Sequence, residues 1–324
     1  MRSKPQAICS KPLIPRPDRR GVFQRGGTMS SRRAQFTRGW WFILPGLILM
    51  VAVVGTPLLM GLRYSLHRVF LYDFNNQVFV GLSNYWKAFE DPLFVNALRT
   101  TGIFTVGCVV LSVGIGILIA FLLNARQVKL RPMWMALFLI PFVMTPVVGG
   151  IAWRFFIWQQ EFGVINQISG FFGGAMPFWL LDRETALLAT IITNSWHLIP
   201  LAVLVFYAAL TTIPDELHEA GRIDGAGPFQ ALWYIVLPML RPHILFVSII
   251  IITSAFREFD MIWALTGGGP GRSTTVLSIF AYNRGVANQD MGMANTIAFS
   301  MFIIMAVVAW LYITVYRRTM GDKT

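Results

Sequence analysis

Six apolar stretches limit what this chain can become: Trp40–Leu62, Thr100–Leu123, Met133–Trp158, Ala186–Leu210, His243–Leu265 and Ala294–Tyr316. Each exceeds the roughly 20 residues of helix that cross a bilayer. Four of the six contain no Asp, Glu, Lys or Arg. Inside hydrocarbon, backbone N–H and C=O groups must be satisfied within the protein, which leaves helices and closed barrels. Barrel strands alternate apolar and polar residues, and these runs do not. Charged residues make up 13% of the chain, against about 25% in soluble domains. The expectation is an all-α, polytopic membrane protein. It has six transmembrane helices over residues 40–324, behind a basic tail at 1–39.

A net charge of +12 over 324 residues invites a nucleic-acid reading, but the charges are segregated. With the N-terminus inside, inner segments hold eighteen Lys and Arg: ten before Trp40, three in Asn124–Pro132, two in Thr211–Pro242 and three after Tyr316. Outer segments hold seven, and Arg154 and Arg257 fall within spans. This asymmetry is the positive-inside pattern and places both termini in the cytoplasm. Membrane lipid is therefore the expected surrounding, and nucleic acid is not an expected partner. The tail lacks the aromatic interleaving of a nucleic-acid-binding arm and has a disordered composition. Met29 opens Met-Ser-Ser-Arg-Arg and is a candidate start, with residues 1–28 an extension. The first span is too long for a signal-peptide core and lacks a small-residue cleavage site, so it is expected to stay as an anchor. Two cysteines, Cys9 in the tail and Cys108 in a span, build no disulfide framework.

One polar island interrupts the hydrophobic pattern between the fourth and fifth spans, at Thr211–Pro242. Pro214-Asp215-Glu216-Leu217-His218-Glu219-Ala220 has helix-start chemistry, an early proline followed by carboxylates at the positive end of the helix dipole. Leu217, Ala220 and Gly221 share a face by their spacing. Gly225 permits a turn that a Cβ resists. Pro228–Leu237 reads as a second short apolar helix ending at Pro238. An amphipathic segment lying on the bilayer is the alternative. Here, however, the polar face carries Asp215, Glu216, Glu219 and Asp224, which anionic lipid repels. A protein partner is favoured.

In this island the chain resembles the inner-membrane permease subunits of ATP-binding-cassette (ABC) importers. Their signature is Glu-Ala-Ala, three residues, Gly, nine residues, Ile, one residue, Leu-Pro. Glu219-Ala220, Gly225, Ile235 and Leu237-Pro238 meet that spacing. Gly221 stands where the family has Ala, which weakens the short helix slightly. A second stretch, Phe259-Asp260, Leu265-Thr266-Gly267-Gly268-Gly269-Pro270 and Thr274-Thr275, is similar to carbohydrate importers of the maltose and glycerol-3-phosphate type. The resemblance runs from about Trp40 to the C-terminus. It implies a type I importer permease with a cytoplasmic coupling-helix loop at 211–242, in which Glu219, Ala220, Gly221, Asp224, Gly225, Ile235, Leu237 and Pro238 engage a cytoplasmic ABC ATPase dimer. That partner would carry the ATP and Mg, and this chain no cofactor. A second, homologous permease would complete a heterodimer, and an extracytoplasmic substrate-binding protein would meet the outer face. The setting is the bacterial inner membrane and the cargo a sugar or polyol.

Polar groups in spans are costly and therefore informative. Asn194 and His197 share a face of the fourth span, and Ser254 and Glu258 are four apart in the fifth, with Arg257 beside them. Asn194 lies eight residues from the outer end of its span and Glu258 seven from its own, roughly 12 and 10 Å by helical rise. Two polar faces at one depth suit a hydroxyl-rich ligand, with Trp196 or Phe142 covering its apolar face. By the resemblance, Asn194 and Glu258 fall on family sugar-contact positions, with Glu258 replacing a neutral Asn. Interhelical hydrogen bonding is the alternative for Asn194, His197 and Ser254. His197 has no companion metal ligand. Pro141 and Pro146 in the third span read as a packing kink or a gate.

No Gly-x4-Gly-Lys-Ser/Thr loop occurs, so ATP is not bound here in the usual way. A transport subunit, not an enzyme, is expected. The competing reading is a stand-alone ion-coupled carrier, which predicts spread intramembrane carboxylates and an internal repeat. The chain shows one charged cluster and no repeat. A membrane-embedded enzyme would need converging catalytic groups, and His67, His218 and His243 lie at span ends or in loops.

Overall fold

The computed structural model describes residues 43–125, 128–174 and 177–321. By packing, the chain divides into Met1–Pro57 and Leu58–Thr324. The basic tail and Trp40–Phe42 lie outside the described residues. Helix α1, Ile43–Ser65, is the first span and carries a five-residue π turn at Val51–Gly55.

In the larger unit, a hairpin of β1 (His67–Phe70) and β2 (Asp73–Phe79) pairs antiparallel, with His67 opposite Phe79. Then come α2 (Ser83–Glu90) and the second span α3 (Pro92–Asn124). At 33 residues α3 is about 50 Å long, so it outruns a hydrocarbon core of about 30 Å. Asp91 starts it by accepting the Leu93 N–H at 2.9 Å, with Pro92 at the first helical position.

The third span departs from a simple kink. It is a pair, α4 (Arg131–Val143) and α5 (Pro146–Ile157), bent by 97°. Pro141 sits inside α4 without breaking it. The break falls at Met144-Thr145, because Pro146 has no N–H for the Phe142 carbonyl and pushes Thr145 to extended backbone (φ −67, ψ 142). After α6 (Val164–Phe171) comes α7 (Arg183–Leu210), the fourth span, close to the expected range.

Two expectations around the fifth span are corrected. Pro228–Leu237 does not end as a separate helix at Pro238. The helix α9, Phe229–Phe256, runs through, because a π turn at Leu232–Val236 carries the chain across the proline, with the Leu237 N–H bonding the Leu232 carbonyl. Nor does this span reach Leu265: α9 stops at Phe256, and after Arg257, Glu258 and Phe259 a separate short helix, α10 (Asp260–Thr266), begins. The acidic helix α8, Asp215–Ile223, precedes α9. The fold closes with α11 (Leu277–Tyr282) and the sixth span α12 (Met291–Gly321). Five helices, α1, α3, α7, α9 and α12, are long and apolar enough to span, and the bent pair makes a sixth.

The main core lies between α3, α7 and α9, where Phe104, Cys108, Phe206, Leu210, Val236, Leu240, Val247 and Ile251 are buried. Small residues set its spacing. A Cβ on Gly116 would lie 2.5 Å from the Ala202 Cβ, so α3 and α7 approach as closely as glycine allows, the usual device where lipid supplies no hydrophobic drive. A second cluster (Phe94, Ala97, Phe256, Leu277, Phe280, Ile297) joins α3, α9, α11 and α12. Hydrogen bonds fasten the hairpin to this assembly: Asn84 Nδ2 donates to the Ser65 and His67 carbonyls at 2.9 and 3.0 Å, and Thr296 Oγ1 to the Ser65 carbonyl at 3.1 Å.

Candidate functional sites

The acidic island has a buried base and an exposed tip. At its base Ile213, Val236 and Leu240 are buried in the main core, with Leu232 and Leu237 packed against them. At its tip Ile223 is 86% exposed and Phe229 81%. Trp233 and Tyr234 are also exposed. Glu219, Ala220, Asp224 and Pro238 lie on the exposed surface too, and Ile235 and Leu237 are half-buried. Gly225 turns the chain at φ +76, left-handed backbone that suits glycine. The half-buried Gly221 packs on Ile235, whose Cδ1 would lie 2.8 Å from a Cβ placed there. The contact is with the end of a flexible side chain, so the small residue matters to this seam but an Ala could be fitted.

The intramembrane residues come together only in part. Asn194 is buried at the α3–α7 seam, where its Nδ2 donates to Cys108 Sγ at 3.4 Å. Among the described residues its Oδ1 has no hydrogen-bond partner, and neither does the buried Thr105 Oγ1 of α3. Among the described residues no hydrogen bond joins Asn194 to Glu258. The expected face of Ser254 and Glu258 does not exist, because the helix ends between them. Glu258 instead caps α10, its Oε1 accepting the Met261 N–H at 2.9 Å, while its carbonyl accepts from Ser278 Oγ at 2.5 Å. Ser254 is half-buried in the last turn of α9 and Arg257 is exposed at its end. Among the described residues no hydrogen bond links either to Asn194, His197 or Glu258.

His197 reaches the broken third span. Its Nδ1 bonds the Pro141 carbonyl at 2.8 Å, which requires the proton on Nδ1, and its ring stacks on Phe142 at 6.0 Å. The histidine thus takes up a carbonyl freed at the end of α4. Arg154, the charge inside the third span, donates Nη1 to the Ala264 carbonyl at 3.4 Å.

Two constructions escaped sequence reasoning. Trp153 packs on Trp158 and Trp196, and Trp158 on Trp179, with centroids 5.3–5.7 Å apart. Trp158 Nε1 donates to Thr193 Oγ1 at 2.8 Å and Trp179 Nε1 to Asn166 Oδ1 at 2.9 Å. The indoles were visible in the sequence, but they lie in three separate segments and share no spacing. The second is the loop after α10, whose hydrogen bonds follow no sequence spacing. Thr274 Oγ1 donates to the Gly269 carbonyl and Thr275 Oγ1 to the Gly268 carbonyl, both at 2.7 Å, and Arg183 Nη2 bonds the Gly271 carbonyl at 2.9 Å. The threonines close the loop on itself.

Among the described residues no group of three or more His, Cys, Asp or Glu is arranged to hold a metal.

Known proteins share this architecture. Residues 112–321 match the family "binding-protein-dependent transport system inner membrane component". The probable ABC transporter permease protein y4oQ of Sinorhizobium fredii (strain NBRC 101917 / NGR234) is 36% identical over 279 residues, 86% of this chain and 89% of that protein. The multiple sugar-binding transport system permease protein MsmF of Streptococcus mutans serotype c (strain ATCC 700610 / UA159) is 33% identical over 288 residues, 86% of this chain and 95% of that protein. Among solved structures, a chain of a bacterial alginate ABC transporter, in complex with an alginate pentasaccharide-bound periplasmic protein, superposes with a TM-score of 0.73. That match covers 90% of this chain and 97% of the other at 20% identity, so it speaks to the fold. The family is one of membrane transport subunits rather than enzymes, and by the extent of these matches the chain belongs to it: it is a binding-protein-dependent transport system inner membrane component.

Proposed function

We propose that the chain is one permease of an ATP-driven carbohydrate importer and that the segment 211–242 receives the stroke of a separate ATPase. The observation that carries this reading is the build of the island, a lever with a buried base and an exposed tip. Exposed apolar side chains at Ile223, Phe229, Trp233 and Tyr234 stand beside Glu219 and Asp224, an arrangement suited to a protein surface rather than to water alone. Its base is rooted in the α3–α7–α9 core, so force at the tip passes into spans instead of being spent in a slack loop. Closure of a cytoplasmic ATPase dimer, loaded with ATP and Mg, rocks the spans between inward and outward states. The basic inner segments hold both termini in the cytoplasm. A second, homologous permease forms the other wall of the path, and an extracytoplasmic binding protein delivers the cargo to the outer face.

The cargo is a sugar or polyol; the relative from S. mutans is named for sugar. Asn194, with its unpartnered Oδ1, and the Glu258 carboxylate supply hydrogen bonds for hydroxyls. The stacked Phe142–His197 pair supplies a flat wall. Uptake into sealed vesicles carrying the complete complex tests the mechanism. Accumulation should need hydrolysable ATP inside and persist when proton and sodium gradients are collapsed. Uptake that follows an ion gradient and ignores ATP would instead identify a stand-alone carrier.

A further inference from the structure

Besides the path, one cavity in the described structure has a lining that selects a ligand by charge. It has a volume of about 330 Å³ and lies where the start of α3 meets the loop 267–290 and α11. Arg272, Arg284, Asn283, Asn288, Thr275 and Phe280 contribute to its wall, and no carboxylate does. The two arginines differ. Arg284 is committed: it is ion-paired with Asp91, the residue that starts α3, and its guanidinium lies 5.2 Å over the Phe280 ring. Arg272 is exposed and its guanidinium has no ion pair or hydrogen bond among the described residues. It is held in place by its backbone, at φ +69, with its carbonyl accepting from the Thr275 N–H and from Asn96 Nδ2. A bulky residue in left-handed backbone is uncommon and is a pointer toward function. Here it sets a free cation at the cavity.

We infer that this cavity receives an Asp or Glu side chain of the extracytoplasmic binding protein, with Arg272 as the cation it pairs with and Asn283 and Asn288 as neutral donors beside it. The inference rests on the orientation and the binding-protein reading proposed above, which put loop 267–290 on the outer face. A guanidinium fork fits a carboxylate with two parallel hydrogen bonds, and Asp91 leaves Arg284 little charge to offer. The position among loops, not between spans, favours a protruding side chain of a docked protein over a travelling solute.

The test is binding of the ligand-loaded binding protein to the complete transporter in lipid nanodiscs, at several salt concentrations. Arg272→Gln and Arg272→Gly both remove the charge, and the glycine form also suits the positive φ. Each should weaken binding at least about tenfold, the size of one charge-assisted hydrogen bond, and flatten its salt dependence. Arg68→Gln, an exposed charge on β1 outside the cavity, should stay within about twofold of wild type. Unchanged affinity in both Arg272 variants, or an equal loss with Arg68→Gln, overturns the cavity assignment while leaving the importer reading intact. If the wild-type complex itself binds no binding protein, the importer reading falls and takes this inference with it.

Discussion

The α3–α7 seam offers a quantitative test through Cys108, a free thiol buried in it. Further along the same helix α3, a Cβ at position 116 would lie 2.5 Å from the Cβ of Ala202 on the facing α7 and 3.4 Å from its carbonyl carbon. Neither is the end of a flexible chain, so Gly116→Val has to push the two backbones apart. Overpacking of this kind costs about 1–3 kcal/mol. If thiol labelling proceeds through a brief opening of the seam, that cost multiplies the open population by about 5- to 150-fold. The assay is the labelling rate of Cys108 in a Cys9→Ser background, in membranes, with a small permeant maleimide. The control lies two residues away on the same helix. Nothing stands within 4 Å of a Cβ on Gly114, so Gly114→Val should label within about threefold of the parent, despite a similar change in helix propensity. Equal rates for the two variants would refute the claim that small residues hold this seam closed.

Other expectations are simpler to measure. Asn194→Ala and Glu258→Gln should slow uptake or change which sugar is preferred, while membrane levels hold, since Gln can still cap α10. Unchanged rate and selectivity in both would leave these residues as helix glue. Trp158→Phe loses the indole bond to Thr193, worth about 1 kcal/mol, and should lower the unfolding temperature of the purified complex measurably without abolishing uptake. Cysteines placed at Ser31 and at the exposed Asn75 should react with an impermeant thiol reagent in intact cells only at Asn75. Labelling at Ser31 alone would turn the proposed topology over.

Helix existence was legible because apolar length is a one-dimensional signal, and α3, α7 and α12 lie near their expected ranges. Breaks were not, because a proline states that a hydrogen bond is missing without stating where the chain will yield. Pro141 was absorbed, Pro146 bent the span by 97°, and Pro238 was bridged by a π turn. Composition also hid the end of α9 before Arg257 and Glu258: hydropathy on both sides is high, and the stop depends on Glu258 capping the next helix, a tertiary choice. The hairpin of β1 and β2 was lost in a loop with no clear alternation. At the candidate sites, the acidic island was readable as a polar interruption because its residues are contiguous. The depth argument that paired Asn194 with Glu258 assumed a continuous fifth helix. That helix ends at Phe256 and Glu258 caps α10 instead, an outcome that no spacing rule on a single helix describes.

The account stands or falls on whether the lever transmits work, and Gly225 is where that is most sharply posed. At φ +76, with open space around a Cβ, valine there meets no clash and acts only through the turn, which its branched side chain strongly disfavours. The decisive measurement is ATP-driven uptake and ATP hydrolysis, side by side, in proteoliposomes of the complete complex carrying Gly225→Val together with Glu219→Lys. The account predicts that the protein inserts normally and that uptake is lost, with any remaining hydrolysis no longer producing transport. Uptake at the wild-type rate per ATP would contradict it.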